Sequence, residues 1–78
     1  MQADPRLLPI GRAVRRARRN LDISQETLGQ RIGMHATHVS EIERGLKDIR
    51  LSTLLRVTEG LEITPAQLFT LADESRRS

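Results

Sequence analysis

An all-α fold of five short helices, the second and third joined by a tight turn, is what this 78-residue sequence predicts. Three observations carry that reading. Apolar residues recur at helical spacing, and nowhere does a strand-like alternation persist. Ser24, Ser52 and Thr64 each precede such a periodic segment, as residues that cap a helix N-terminus do. Gly33, Gly45 and Gly60 each follow one, as residues that end a helix do.

Taken in order, the first helix runs from about Pro9 to Asn20. Ile10, Val14, Ala17 and Leu21 form its apolar stripe, with arginines on the other side. Pro9 is tolerated because first-turn N–H groups lack intrahelical partners, and the residues around Asp4-Pro5 read as a frayed tail. The second helix spans Gln25–Ile32: Ser24 caps it, Ile23 and Leu28 are placed as a hydrophobic staple, Glu26 suits the positive end of its dipole, and Gly33 stops it. Only Met34 and His35 separate that stop from the third helix, Ala36–Arg44, which turns Val39 and Ile42 inward and ends at Gly45. Two short helices joined this tightly form a helix-turn-helix unit, leaving the second of them protruding on a convex surface shaped for a DNA major groove. A loop from Leu46 to Leu51 follows. Ser52 then caps a fourth helix that turns Leu54, Leu55 and Val57 inward and closes at Gly60. Thr64-Pro65-Ala66-Gln67, with Ile63 and Leu68 as a second staple pair, opens a fifth helix reaching about Ala72. Asp73–Ser78 reads as a polar tail, and no internal repeat is evident.

The length supports one domain, residues 1–78 with a folded core over about 8–72. A chain this short buries only about 60% of its unfolded surface. Without cysteine there is no disulfide to help, and His35 and His38 have no third ligand nearby, so no metal or other cofactor is expected and dimerisation is the expected compensation. No secretory signal or apolar run long enough to span a bilayer is present, which implies a cytoplasmic protein without a membrane partner. No small-molecule ligand is evident. Residues 1–20 carry Arg6, Arg12, Arg15, Arg16, Arg18 and Arg19 against Asp4, a charge of +5, whereas residues 21–50 and 51–78 each sum to −1. A cationic segment on a near-neutral body fits a partner with a phosphate backbone. A solvated helix face explains the same charges. A membrane-surface helix fits less well, since the single aromatic residue, Phe69, lies far away in sequence.

The segment Ile23-Ser-Gln-Glu-Thr-Leu-Gly, with Gly33 and then His38-Val-Ser-Glu-Ile-Glu-Arg-Gly45, resembles the lambda-repressor-like, Xre-type family of helix-turn-helix transcription regulators over roughly residues 8–72. The single-domain length and the run Gly45-Leu-Lys-Asp-Ile-Arg-Leu are most similar to the controller proteins of restriction-modification systems. Those are small dimers that bind palindromic operators and regulate their own promoter. The resemblance implies that Gln25 contacts a phosphate and braces the recognition helix, and that Ala36, Thr37, His38, Ser40 and Glu41 are exposed on that helix. It further implies that Arg18 and Glu43 form a buried ion pair and that Lys47 meets the DNA backbone. The sequence departs from the family pattern at Ala36, at Glu41 and at His35, which stands where Ser, Thr or Asn would cap better.

These residues define the expected site. Base edges are read by Ala36, Thr37, His38, Ser40 and Glu41. Ala36 and Thr37 suit a thymine methyl; Glu41 accepts from cytosine or, near phosphates, pairs with Arg44. Phosphates are met by Gln25, Thr27, His35, Arg44, Lys47, Arg50 and Arg12. Ile63, Leu68, Phe69 and Leu71 offer a dimer interface on the fifth helix. The expected function is a sequence-specific regulator on double-stranded DNA, a homodimer with RNA polymerase as a further partner if it activates. The competing reading is an antitoxin-like module that neutralises a partner protein and also binds its own operator. Nothing suggests an enzyme: Glu41 and Glu43, two residues apart, face different sides of their helix.

Overall fold

In the computed structural model, residues 2–77 are described, and Met1 and Ser78 lie outside them. Local chemistry accounts for most helix boundaries. The five helices are α1 (Leu8–Asn20), α2 (Gln25–Ile32), α3 (Ala36–Glu43), α4 (Leu51–Gly60) and α5 (Pro65–Arg77). Ser24 caps α2, its Oγ accepting from the Thr27 N–H at 3.0 Å. Gly33 closes α2 at φ 68°, a conformation glycine adopts without a Cβ penalty. Thr64 and Gln67 form a full capping box: the Gln67 N–H donates to Thr64 Oγ1 at 3.0 Å and the Thr64 N–H to Gln67 Oε1 at 2.8 Å.

The apolar stripes meet in one core. Ala13, Val14 and Ala17 of α1 pack with Leu28 and Ile32 of α2, Val39 and Ile42 of α3, Leu54 and Val57 of α4, Leu61, and Leu68 and Ala72 of α5. α1 lies against α5 and α3, and α2 against α3 and α4, so α3 is held from two sides and leaves its outer face open. Leu28, Leu61 and Leu68 are fully buried, each stabilising the fold by about 1.5–3 kcal/mol through burial alone.

Several expectations change. α1 starts at Leu8, and the segment before it is tied down rather than frayed. The Asp4 N–H donates to Gly45 O at 3.1 Å, the Asp4 carbonyl accepts from Leu7 and Leu8, and the Asp4 carboxylate accepts from the Arg6 side chain and N–H. The bonds from the Arg6 side chain and N–H hold the Asp4 carboxyl below its ordinary pKa. α3 ends at Glu43, with Arg44 as its C-cap. α4 starts at Leu51 with Arg50 as an N-cap that makes no side-chain bond, so Ser52 is not the cap. Leu55 points outward, 44% exposed, instead of inward, because at about 3.6 residues per turn it stands about 100° around the helix from Leu54 and about 200° from Val57. Gly60 lies within α4 rather than closing it; a Cβ there would meet Ile32 of α2, so the residue serves helix packing. α5 runs on to Arg77 where a tail was expected, because residues 73–77 contain no breaker. Glu74 pairs with Arg16 of α1 at 3.0 Å, and Arg76 and Arg77 suit the negative end of the dipole.

A repeat also emerges. Leu21-Asp22-Ile23-Ser24 and Leu61-Glu62-Ile63-Thr64 form the same inter-helix turn, with Asp22 at φ 58° and Glu62 at φ 60°. The Ile23 N–H reaches back to Arg18 O and the Ile63 N–H to Thr58 O in the same way. Only conservative identities link the two segments, which hides them from a reading of composition and periodicity.

Candidate nucleic-acid interface

α3 is seated by two glycines. A Cβ on Gly11 of α1 would collide with the carbonyl oxygens of Ile42 and Glu43, and one on Gly29 of α2 with that of Met34. Backbone therefore lies directly on backbone at both ends of α3. Its C-terminal end is also locked electrostatically. Glu43 is 6% exposed; its carboxylate accepts from Arg18 Nε at 2.7 Å, from Arg18 Nη2 at 3.1 Å and from Gln25 Nε2 at 3.1 Å. Arg18 Nη1 donates to Ile23 O at 2.8 Å, so the guanidinium joins α1, the α1–α2 turn and α3. A buried pair needs this degree of satisfaction to offset its desolvation.

The N-terminal end of α3 is capped by His35, whose Nδ1 accepts from the Thr37 N–H at 3.1 Å. The histidine thus performs the capping role that Ser, Thr or Asn fills more often. With Nδ1 as acceptor, the neutral ring carries its proton on the exposed Nε2.

The outer face of α3 separates into two tiers. Thr37, His38 and Arg44 are exposed, whereas Ala36, Ser40 and Glu41 are half-buried. Ala36 lines an open groove at the α2–α3 turn with Glu26, Gly29, Gln30 and His35. Glu41 lies 4.0 Å from Lys47 in the following loop and not against Arg44, whose Nε instead donates to Ser40 O at 3.4 Å. Lys47 and Arg50 are exposed on the α3–α4 connection. Gln25 is half-buried and spends one amide donor on Glu43, while the Thr27 hydroxyl accepts from Ser24 Oγ at 3.0 Å. Arg12 is exposed on α1, beside Arg15, Arg16 and Arg19.

A model of the helix-turn-helix family matches residues 14–68. The chain belongs to the Xre-type helix-turn-helix family. Among curated relatives it is 34% identical over 62 residues to the control protein C.BamHI of Bacillus amyloliquefaciens, covering 78% of this chain and 76% of that one. It is 32% identical over 60 residues to the uncharacterized HTH-type transcriptional regulator y4aM of Sinorhizobium fredii, covering 77% of this chain but only 42% of the relative. The solved structure of the restriction-modification controller protein C.AhdI from Aeromonas hydrophila superposes with a TM-score of 0.78 at 33% identity, over 81% of this chain and 91% of that one. Fold and family therefore agree with the expectation from the sequence, and within the family the similarity lies with controller proteins.

The expected dimer residues divide differently. Leu68 is fully buried in the core and is no interface residue. Ile63 and Leu71 are half-buried against that core, and Phe69 is 45% exposed. Further large apolar side chains are open on α4, where Leu51 is 71% and Leu55 44% exposed. Leu51 and Leu55 stand one turn apart, to one side of the buried Leu54, Val57 and Leu61. Among the described residues no helix is long and apolar enough to cross a membrane.

Proposed function

We propose that this chain is a sequence-specific DNA-binding transcription regulator that acts as a homodimer on a palindromic operator and controls its own promoter. The observation that carries the reading is an α3 fastened at both ends, by the His35 cap and the Arg18–Glu43–Gln25 cluster, with its outer face left open. A helix held this rigidly presents its side chains to a groove without an ordering cost at the moment of binding.

Thr37 and His38, the most prominent side chains of the first turn of α3, reach base edges, with Ala36 offering apolar contact to a thymine methyl. Ser40 and Glu41 stand further back and touch bases only where the groove closes on them. Phosphates are met by Gln25 at the N-terminus of α2, by the Nε2–H of His35, and by Arg44, Lys47 and Arg50. One domain reads too few base pairs for useful specificity, and a two-fold dimer places two recognition helices about 34 Å apart, one turn of DNA. Leu51, Leu55 and Phe69 form the apolar surface on which the second copy sits. The protein works in the cytoplasm without a catalytic step, and RNA polymerase is its further partner if the operator lies where a bound regulator activates.

A competition gel shift on the DNA upstream of its own gene tests this. Binding that survives a large excess of random duplex, and loses that preference in T37A/H38A, is the expected outcome. Equal competition by specific and random duplex would overturn it.

A further inference from the structure

The first helix carries a second charged surface. Arg12, Arg15, Arg16 and Arg19 recur at intervals of three and one along α1, which places them on one face, and all four are exposed around a shallow depression that ends at Asn20. Arg16 is bound to Glu74. Arg12, Arg15 and Arg19 have no carboxylate partner among the described residues, unlike Arg6, Arg18 and Arg31. No aromatic or large apolar side chain interleaves them, so the stripe lacks what a membrane-surface helix buries.

We propose that this stripe is a track for the phosphate backbone of duplex DNA flanking the site that α3 occupies. Position favours DNA over an acidic protein. The bonds from Arg18 to Ile23 O and to Glu43, and from Gln25 to Glu43, set the last turn of α1 against the first turn of α2, where the operator backbone is read. Arg19 therefore begins beside that backbone, and the stripe leads away from it to Arg12. The seven residue steps from Arg12 to Arg19 rise about 10 Å. One strand of B-DNA carries a phosphate about every 3.4 Å along the axis, so the stripe spans about three phosphates, one for each unpaired arginine. DNA already held by α3 presents those phosphates at high effective concentration.

The inference rests on the DNA-binding reading, and one experiment separates the two. Affinity for a mixed-sequence 40-base-pair duplex is measured against salt for the full chain and for R12Q/R15Q/R19Q, which leaves the Arg16–Glu74 pair intact. Each phosphate contact contributes a slope of about 0.9, so the triple variant should lose about 2.7 from the slope, which is about 40-fold in the affinity change between 50 and 200 mM salt. R12K/R15K/R19K should retain the slope, and R31Q/R56Q, at the contact between α2 and α4, should change it by less than about one. An unchanged slope in the triple variant overturns the track. So does a fall no larger per arginine than in R31Q/R56Q, which would mark diffuse net charge, or arginine-dependent binding of polyglutamate in preference to duplex. Failure of the unaltered chain to bind any duplex overturns the DNA-binding reading itself, and the track with it.

Discussion

The helix pairs α1–α2 and α4–α5 turn through the same backbone path forty residues apart, yet they do opposite things with the faces they present. In each, a leucine ends the first helix, an acidic residue takes a positive φ, an isoleucine packs on the core, and Ser24 or Thr64 caps the next helix. Leu28 and Leu68, four residues beyond each cap, are both fully buried. The pairs diverge where α3 docks. Gly11 and Gly29 receive its backbone; the matching positions of the second pair are Leu51 and Phe69, both exposed. They diverge again at Arg18, which ties α1 to α3, against Thr58, whose hydroxyl only returns to Leu55 O at 2.8 Å. Turn chemistry thus builds a helix pair, and the size of two side chains decides whether that pair receives a helix of its own chain or leaves an apolar face for another.

The largest test of that contrast is at the buried polar position. Arg18→Ala leaves Glu43 without its cation and should cost about 3–5 kcal/mol, lowering the melting temperature by about 12 °C or more. Thr58→Val should cost under about 1 kcal/mol, since a single local hydrogen bond is lost. Equal losses in thermal unfolding would erase the distinction between the pairs. Next come the glycines. Gly29→Ala forces a methyl into the Met34 carbonyl and should cost about 2–3 kcal/mol by overpacking, whereas Leu51→Ala should leave monomer stability within about 0.5 kcal/mol.

If the open face is where a second copy sits, L51S/L55S should raise the dimer dissociation constant by about 30-fold, about 2 kcal/mol, in sedimentation, with helix content unchanged. A variant that still sediments as a dimer would remove α4 from the interface. Smaller still, Ser24→Ala and Thr64→Ala should each cost about 1 kcal/mol in denaturant unfolding, because the two caps do the same work. The smallest effect concerns Asp4, whose link to Gly45 has no counterpart in the second pair. Its folded-state pKa is depressed by bonding to Arg6, so its contribution is present above the ordinary carboxylate value and lost as pH falls through the lowered one. Asp4→Asn should remove that part of the acid dependence of unfolding, with a small loss of stability at neutral pH and none at pH below the lowered value, where the carboxyl is already protonated.

Much of the interface was legible before the fold. The Ser24 cap, the Gly33 stop and the inward Val39 and Ile42 locate the helix-turn-helix, because caps and stops act over four residues and are written in residue type. Resemblance to a known family supplied Arg18 with Glu43, a pair 25 residues apart that no local pattern joins. Three expectations failed for non-local reasons. Glu41 lies near Lys47 because the loop after α3 folds back on it. Leu55 faces outward because α2 and α5 cover the side of α4 that carries Leu54 and Val57, and Leu55 stands off that side. Residues 73–77, which contain no breaker, continue α5 along α1, where Ala72 is buried and Glu74 meets Arg16.

What the sequence determined by itself was therefore the set of helices and the turn chemistry between them, since propensity, capping and glycine stops depend on neighbours along the chain. What only the tertiary structure decided was which faces stay open. The tiers of α3, the apolar patch of Leu51, Leu55 and Phe69, and the unpaired arginines of α1 each depend on which helix packs beside them. At the C-terminal end of α3 that choice rests on backbone approaching backbone where Gly11 meets Ile42 and Glu43, a distance in sequence that no local signal spans, whereas the Gly29 contact to Met34 is made within the turn itself.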